Sequence, residues 1–471
     1  MKKKEEKIKK QNKSAITNCD VLVIGAGSAG LSSALTAREF GKKVIVIYND
    51  ELGGECPNYA CLPMKALITC AKAYEFTKNE TSLYGVHCSL VQYSFPEIMK
   101  YKSAVVDTVT GHGKRLAGLL EKSGVKTVKG FAEFETANIV KVGNQRFWAS
   151  KIVIATGSIP RIPPIEGIEK IKYLTYKEVT SLKHRPKSVV VVGGGPVGCE
   201  IATFFGMLGT KVSVMEVLTQ ILGREDREIS ALSQAQMQKS GIDVFTNTKV
   251  LSVLQQGKKI LLTYQQGQKI RKTILVDQVV ISAGTVAQIS GLHLEKAKVK
   301  IDARGKIVVN DFLQTSVKHI FTAGDASGKM QFTHTAHRDG EVVGRNVCVL
   351  KSAMRKIDNR VVPRATFVYP EVASVGITQK EALELGVKVE VKSFPIGALG
   401  RAVACGKRSG LLKVVIEKKT GQIMGAQMIG ECAGEVIHEL ALGMHLRAKF
   451  ADVSSMIHAF PTYSEAIPAV S

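Results

Sequence analysis

The sequence predicts an α/β fold built around two parallel β-sheets, each with a binding site for a dinucleotide. Near the N-terminus an apolar strand, a G-x-G-x-x-G turn, a helix and a second apolar strand follow one another, and the same order recurs further along the chain. Such a unit places glycine backbone next to a pyrophosphate. At 471 residues the chain is also too long for one hydrophobic core, so about two to four domains are expected.

The first glycine-rich turn contains Gly25, Gly27 and Gly30. It precedes a helix predicted over residues 31–40 and a strand predicted over residues 43–48. Gly25 permits the tight turn, Gly27 lets the backbone approach the pyrophosphate, and Gly30 lets the helix pack on the strand. The helix N-terminus then offers amide donors and the positive end of its dipole to the phosphates.

The second glycine-rich turn contains Gly193, Gly195 and Gly198, and the strand after its helix ends at Glu216. A carboxylate at that strand end accepts hydrogen bonds from a ribose diol and repels a 2′-phosphate. The second site is therefore predicted to bind NADH rather than NADPH.

The first unit has Tyr48 at the strand end, so Asp50 and Glu51 are the candidates for its ribose contact. Two dinucleotide sites in one chain indicate a relay between a tightly bound flavin and an exchangeable nicotinamide.

Cys56 and Cys61 directly follow the first unit. In a regular helix, Cα atoms five residues apart are about 8–9 Å from each other, whereas a disulfide tolerates about 7 Å. A bond therefore requires distorted backbone, and Pro57 and Pro63 are suited to interrupt a helix. Distortion and exposure raise the reduction potential, as a redox-active disulfide requires, and Lys65 nearby favours a thiolate. The alternative is a pair of unbonded packing cysteines.

These segments resemble the class I pyridine nucleotide–disulfide oxidoreductases, a family that includes dihydrolipoamide dehydrogenase, glutathione reductase and mercuric reductase. The resemblance covers essentially all of the chain after Asn18. Further matches to the family lie in residues 155–158, 322–325, 369–376 and 420–426.

The resemblance implies two Rossmann-like dinucleotide-binding domains and a C-terminal α+β dimerisation domain. After a basic, flexible tail at residues 1–18, a discontinuous FAD-binding domain would comprise residues 19–157 and 286–350. Residues 158–285 would form the NAD(P)-binding domain, and residues 351–471 the dimerisation domain. A homodimer is implied, because the family's active sites are completed by the partner subunit.

The resemblance also implies a mechanism in which NADH reduces FAD and the flavin reduces a Cys56–Cys61 disulfide. Cys61 would lie next to the flavin ring, and Cys56 would exchange with the acceptor. Lys65 would pair with Glu200 near the flavin, and Asp325 would hold the ribityl chain. The remaining cofactor contacts implied by matched motifs are Gly54, Thr156, Gly157 and Ala326 for FAD, and Gly284 for the nicotinamide dinucleotide.

The acid/base histidine of the family's disulfide reductases is absent. Phe460 stands at its position and cannot move a proton, although Glu465, which orients that histidine in the family, remains. If the segment is extended, His458 lies about 6–7 Å from the position of Phe460. It is either a substitute base or a packing residue. Exchange with lipoamide or glutathione should therefore be slow. A mercuric-reductase-like acceptor is favoured, with dihydrolipoamide dehydrogenase as the alternative.

The chain lacks the vicinal C-terminal cysteines of mercuric reductases, because Cys432 stands alone. The acceptor consequently stays open among a disulfide, a metal ion and another small oxidant. No metal-ligand spacing of Cys and His occurs.

The net charge is +24, and residues 1–13 contain seven lysines and two glutamates. No zinc-finger or stacking-aromatic pattern accompanies this charge, so no specific nucleic-acid binding is expected. No apolar run predicts a membrane span or a signal peptide, and scattered single cysteines are typical of a reduced compartment, which indicates a cytoplasmic protein. A hypothesis from another class is a flavin-binding scaffold held on an anionic surface by the basic tail. The cysteine pair argues against it.

Overall fold

The computed structural model describes residues 16–267, 270–328 and 330–470. The chain divides into two compact units. Unit 1 comprises Met1–Pro63, Ser103–Ile159 and Thr285–Ile357, and unit 2 comprises Met64–Lys102, Pro160–Gly284 and Asp358–Ser471. Most of the predicted nicotinamide and dimerisation domains thus falls in unit 2, and most of the predicted FAD domain in unit 1.

Unit 1 is built around a seven-stranded, mostly parallel sheet. Its strands, in order, are Lys126–Lys129, Val44–Tyr48, Ile16–Ile24, Gln145–Ile154, Ile139–Val142 and Ala132–Phe134, with Ile320–Thr322 also paired to Gln145–Ile154. A short pair, Ser158–Pro160 with Thr285–Ala287, lies where the chain enters and leaves the unit. Its helices are Ser28–Glu39, Glu55–Asn58, Lys114–Lys122 and Thr333–Asn346, with 3₁₀ turns at Gly324–Ser327 and Lys351–Ala353.

The strand Ile16–Ile24 is buried on both faces at its C-terminal half. Leu22 and Ile24 enter one apolar cluster, whereas Val21 and Val23 enter another. A continuous apolar run is expected of a central parallel strand that is covered on both sides. The run therefore fixes this strand in the middle of the sheet and carries it directly into the glycine turn.

The helix after this turn is Ser28–Glu39, so it begins three residues before the predicted start at residue 31. It packs closely on the helix Thr333–Asn346, because Gly340 and Gly344 have no side chains. A Cβ on Gly340 would lie 2.4 Å from the Ala29 carbonyl oxygen, and one on Gly344 would lie 2.6 Å from that of Ser33. The close packing brings the N-terminus of Thr333–Asn346 next to the glycine turn.

Unit 2 contains three sheets. The parallel sheet has the order Asp243–Phe245, Lys211–Met215, Ser188–Val192 and Gln278–Ile281. A three-stranded antiparallel sheet comprises Thr248–Gln256, Lys259–Gln266 and Ile270–Val276, and a five-stranded antiparallel sheet has the order Arg364–Thr366, Glu371–Gly376, Ile423–Gly430, Leu411–Glu417 and Val389–Pro395. The α/β class with a C-terminal α+β part is that predicted from the sequence.

The helices of unit 2 flank these sheets. They are Tyr176–Val179, Pro196–Met207, Arg227–Lys239, Gln379–Glu384, Gly400–Ala404, Ala433–His445, Phe450–Ser454 and Ala466–Ala469, with 3₁₀ turns at Thr81–Tyr84, Ile168–Lys170 and Ile396–Ala398. Two longer helices, Cys61–Asn79 and Phe95–Thr110, contain the boundaries between the units in sequence. In the part of the chain that the structure describes, no helix combines the length and the hydropathy of a membrane span.

Candidate active site

The first glycine turn in unit 1 is formed by three glycines with different surroundings. Gly25 has φ +110°, and a Cβ there would lie 2.1 Å from the Ala155 carbonyl oxygen. A Cβ on Gly30 would lie 1.9 Å from the Gly25 carbonyl oxygen, so both positions exclude any side chain. Around Gly27, in contrast, the nearest heavy atom to such a Cβ is 3.9 Å away. The free space therefore lies at Gly27, where a ligand would approach the backbone.

Gly27 is also the N-cap residue of the helix Ser28–Glu39, and no side chain caps this helix end. The first amide groups of a helix lack intrahelical partners and attract anions together with the helix dipole. The turn consequently offers donors and space to a pyrophosphate.

The segment that carries the cysteines is attached to this turn. The Gly53 N–H donates to the Ala26 carbonyl at 2.9 Å. Gly54 has φ +71°, and a Cβ there would lie 2.8 Å from Gly27 Cα. Gly54 therefore allows two backbone segments to touch, and it places the cysteine loop beside the proposed pyrophosphate position.

Polar groups lie at the carboxyl edge of the unit 1 sheet, where the first glycine turn also lies. The Thr156 hydroxyl is buried and finds no hydrogen-bond partner among the residues that the structure describes. Ser158 donates its hydroxyl to Asp325 Oδ2 at 2.8 Å. Burial raises the pKa of Asp325, the Ser158 hydrogen bond acts in the opposite direction, and the charge of Glu55 adds to the rise. An unpartnered buried hydroxyl and a carboxyl with spare acceptor capacity are what a polar ligand at this edge requires.

Two other predicted contacts occupy this edge. Gly157 has φ +74° and open space on its Cβ side. Ala326 is fully buried in the 3₁₀ turn Gly324–Ser327, so none of its atoms is open to a ligand. The glycine turn, Thr156, Gly157 and Asp325 fit the flavin dinucleotide that the sequence predicts.

The cysteine loop contains the predicted interruption of helix. One helical turn spans Glu55–Asn58, Tyr59 leaves the helical region at φ −133°, and a new helix begins at Cys61. Pro63 explains the break, because a continuous helix would need a Pro63 N–H donor to the Tyr59 carbonyl. Pro57 does not interrupt a helix as expected; it lies in the first turn, where the N–H has no partner to lose.

The two cysteines differ in their surroundings. Cys56 is half-buried, whereas Cys61 is exposed. The Cys61 Sγ lies 3.7 Å from the Thr333 hydroxyl, at the N-terminus of the helix Thr333–Asn346. Ser28 in turn donates to the Thr333 carbonyl at 3.2 Å. The close packing of the two helices thus holds a hydroxyl against Cys61.

In unit 2 the structure brings Lys65 and Glu200 together. The Lys65 Nζ lies 2.9 and 2.8 Å from the two carboxylate oxygens of Glu200, which is 4 % exposed. Glu200 also accepts the Phe367 N–H at 3.0 Å, and Lys65 lies 4.8 Å from the centre of the Phe367 ring. A buried carboxylate that accepts three hydrogen bonds, two from an ammonium group and one from the backbone, is held in one orientation, and it fixes the ammonium group in turn.

The second glycine turn repeats the geometry of the first. Gly193 has φ +112°, and a Cβ there would lie 2.3 Å from the Ser282 carbonyl oxygen. A Cβ on Gly198 would lie 2.0 Å from the Gly193 carbonyl oxygen, whereas one on Gly195 would meet nothing within 4 Å. Pro196 begins the helix Pro196–Met207, and no side chain caps the N-terminus of this helix. This turn also leaves amide donors and space at its middle glycine.

Glu216 lies at the end of the next strand and is 8 % exposed. Its two carboxylate oxygens accept the Gly194 and Leu218 N–H groups at 2.7 and 2.8 Å. Each oxygen can accept more than one hydrogen bond, so the backbone fixes the carboxylate without exhausting it. Gly284, with φ +92°, has open space on its Cβ side.

The C-terminal segment contains no histidine at the expected acid/base position. Phe460 is 79 % exposed. Glu465 accepts the Thr462 N–H at 2.9 Å, which is a local cap of the turn. His458 Nε2 lies 2.6 Å from Glu439 and its Nδ1 lies 2.9 Å from the Met456 carbonyl, with a side chain that is 6 % exposed. Both ring nitrogens are therefore occupied, and the packing role is favoured over the substitute base.

Comparison with known proteins agrees with this geometry. Residues 19–340 match the family model described as pyridine nucleotide-disulphide oxidoreductase, and residues 362–470 match the dimerisation domain of the same family. The chain belongs to the pyridine nucleotide-disulphide oxidoreductases. The resemblance stated from the sequence is thus confirmed, and with it an FAD-dependent oxidoreductase that uses a nicotinamide dinucleotide and carries a dimerisation domain.

Relatives of this oxidoreductase fall into several activities. It is 34 % identical to a dihydrolipoyl dehydrogenase of Geobacillus stearothermophilus, over 95 % of this chain and 94 % of that protein. It is 30 % identical to a mercuric reductase of Lysinibacillus sphaericus, over 96 % and 81 % respectively. Among solved structures, the Cu(II) complex of the HOCl-induced flavoprotein disulfide reductase RclA from Escherichia coli aligns with a TM-score of 0.85 and 26 % identity, over 97 % of this chain and 99 % of that one.

Sequence reasoning missed several side chains of this oxidoreductase. Ser158 could have been found, because it directly follows the Thr156–Gly157 motif. Tyr59 could have been noticed between the cysteines, although nothing local shows that its hydroxyl reaches Asp50 at 2.9 Å. Thr333 and Phe367 reach the site from distant parts of the chain, and no local signal marks them.

Proposed function

We propose that this oxidoreductase transfers electrons from NADH through FAD to a Cys56–Cys61 disulfide, and from Cys56 to a disulfide, a metal ion or another small oxidant. The observation that carries the proposal is the contact of the cysteine loop with the first glycine turn. Because Gly54 packs against Gly27, a dinucleotide bound on that turn would lie beside the segment that carries the cysteines. When bound there, FAD supplies two-electron transfer between a nicotinamide and the cysteine pair.

Residues of this chain would hold the cofactor and set the charge around the cysteines. The amides after Gly27 bind the pyrophosphate, while Thr156 and Asp325 provide a hydroxyl and a carboxyl for the ribityl chain. Lys65 follows Cys61 by one turn of the same helix, so its positive charge favours a Cys61 thiolate. Glu200 holds Lys65 in place through two charge-assisted hydrogen bonds.

The second site is proposed to prefer NADH. Glu216 is fixed by two backbone donors, and its negative charge would lie where a 2′-phosphate has to enter. A group that cannot move away discriminates more strongly than a flexible one, because the repulsion is not relieved by rotation. We also propose that the enzyme acts as a homodimer in the cytoplasm, where single, unpaired cysteines are common.

The C-terminal segment supports an acceptor that needs no protein acid or base. Phe460 has no proton to move, and His458 is occupied by Glu439 and Met456. A metal ion or a small oxidant satisfies this condition. Dihydrolipoamide remains the second candidate, because the relatives with 34 % identity over nearly the whole chain are dihydrolipoyl dehydrogenases.

The test is an anaerobic titration of the purified flavoprotein with NADH, followed in the visible spectrum. Wild type should develop a long-wavelength band from a thiolate next to oxidised flavin, and Cys61→Ser should bleach without this band. Cys88→Ser, which replaces an exposed cysteine outside the loop, is the matched control and should behave as wild type. Identical bleaching in wild type and Cys61→Ser would show that the cysteines take no electrons.

A further inference from the structure

Three acidic residues, Asp50, Glu51 and Glu55, precede Tyr59, which is one of the four residues between the two cysteines. The Tyr59 hydroxyl donates to Asp50 Oδ1 at 2.9 Å, and the Tyr59 N–H donates to the Glu55 carbonyl at 2.8 Å. Burial raises the pKa of Tyr59, and the hydrogen bond that its hydroxyl donates to Asp50 and the charges of Asp50, Glu51 and Glu55 add to the rise. Asp50 thus contacts the cysteine loop through Tyr59, and Glu51 and Glu55 precede Cys56 by five residues and one residue in the chain.

The acidic surroundings reach beyond Tyr59. The charge of Glu55 also acts on Asp325, at the edge of the sheet. On the other side, Glu51 has Lys129 as a counterion, but the Nζ–Oε1 distance is 4.0 Å and both side chains are at least half exposed. Such a pair screens little. In a chain with a net charge of +24, residues 50–61 contain three acidic residues and no lysine or arginine.

We propose that these carboxylates select the acceptor of the Cys56 electrons by charge, so that a cationic acceptor is favoured and an anionic one is repelled. The inference rests on the proposed function, since it concerns the partner that reacts with Cys56. Cys56 directly follows Glu55 and precedes Tyr59 by three residues. A molecule that approaches Cys56 therefore enters the field of the same side chains.

The reaction with a disulfide proceeds in two balanced exchanges. The Cys56 thiolate attacks one sulfur of the acceptor disulfide, forms a mixed disulfide and releases one thiolate. The Cys61 thiolate then attacks the Cys56 sulfur, forms the Cys56–Cys61 disulfide and releases the second thiolate. The protein loses two electrons and the acceptor gains two. The first attack brings the acceptor's charged groups to Cys56, which directly follows Glu55, so this step carries the selectivity.

The test compares two disulfides of opposite charge, cystamine with two ammonium groups and 3,3′-dithiodipropionate with two carboxylates. The holoenzyme carries Cys88→Ser and Cys432→Ser, which remove exposed competing thiols. It is reduced with dithiothreitol and desalted without oxygen. The rate of Cys56–Cys61 disulfide formation is measured by alkylation and mass spectrometry in three proteins: this background, Glu55→Gln, and Glu384→Gln as a matched surface control. Each disulfide is compared across the three proteins, so the different leaving thiols of the two disulfides do not affect the result.

Glu55→Gln should slow the reaction of cystamine and accelerate that of 3,3′-dithiodipropionate, each about threefold at low salt, as for a unit charge about 7 Å away in water. Both effects should vanish near 1 M salt, and Glu384→Gln should change neither rate. A disturbed loop would change both rates in the same direction. That outcome, or no change with either disulfide, would overturn the proposal. The protein is reduced chemically here, so failure of this test is independent of the outcome of the NADH titration.

Discussion

Replacing Gly27 with alanine separates the binding role of the first glycine turn from its packing role. The added Cβ would have its nearest neighbour at 3.9 Å, and Gly27 has φ −78°, which alanine adopts readily. The free energy of unfolding should therefore change by less than about 1 kcal/mol. A bound pyrophosphate, however, would meet the new methyl group at the position where it has to contact the amides.

The loss of affinity follows from the hydrogen bonds at the helix end. If the methyl group displaces two amide-to-phosphate hydrogen bonds, each worth about 1.5–3 kcal/mol with a charged acceptor, FAD binding weakens by about 3–6 kcal/mol. The Kd should then rise at least about a hundredfold. The assay is titration of apoprotein with FAD, followed by flavin fluorescence, with thermal unfolding of the apoprotein measured in parallel.

Two neighbouring glycines provide the controls. A Cβ on Gly25 or Gly30 would lie 2.1 or 1.9 Å from a carbonyl oxygen, so Gly25→Ala and Gly30→Ala should fail to fold. Gly195→Ala repeats the experiment at the second turn, where KM for NADH should rise while FAD remains bound. Unchanged FAD affinity of Gly27→Ala, or unfolding of this variant together with Gly25→Ala, would refute the reasoning.

Three more predictions concern single side chains. Glu216→Ser should raise the ratio of kcat/KM for NADPH to that for NADH about tenfold, because the fixed negative charge is lost, and an unchanged ratio would exclude Glu216 from the ribose site. Phe460→His should increase dihydrolipoamide oxidation by NAD about tenfold or more, because it restores the missing base. Measured turnover no higher than that of wild type would show that the missing base does not limit this reaction. Asp325→Asn should stabilise the apoprotein at pH 7 and not near pH 3, because a carboxyl with a raised pKa in the folded state lowers stability as the pH rises through that pKa. The Tm of both proteins is measured at the two pH values, and equal shifts of Tm at both would contradict the prediction.

The sequence predicts those parts of the site that depend on neighbours along the chain. Gly25, Gly27 and Gly30 act within one turn, and Pro63 alone explains the break before Cys61. Helix starts are less well defined by local pattern: Ser28 begins the first helix because the chain becomes helical as soon as Gly27 has turned it, whereas the apolar pattern begins later.

Contacts between distant segments could not be predicted in this way. The hydrogen bond from Tyr59 to Asp50 depends on how the cysteine loop folds back over the strand end. The pairing of His458 with Glu439 depends on packing of the C-terminal segment against the helix Ala433–His445. The family resemblance predicted Glu200 as the partner of Lys65. The Phe367 N–H that also donates to Glu200 directly follows the distant strand Arg364–Thr366.

The break between the two helical segments makes the cysteines unequal as carriers of charge. Cys61 is the first residue of a helix of 19 residues, whereas Cys56 lies within a helix of 4 residues. The positive end of the longer helix stabilises an anion at its first turn by about 0.3–1 kcal/mol, and a single turn has almost no such field. Negative charge that reduction adds to the pair therefore resides mainly on Cys61, and Cys56 holds its proton more tightly until it attacks an acceptor as a thiolate. The helix break at Pro63 thus adds a difference in helix dipole to the different surroundings of the two thiols.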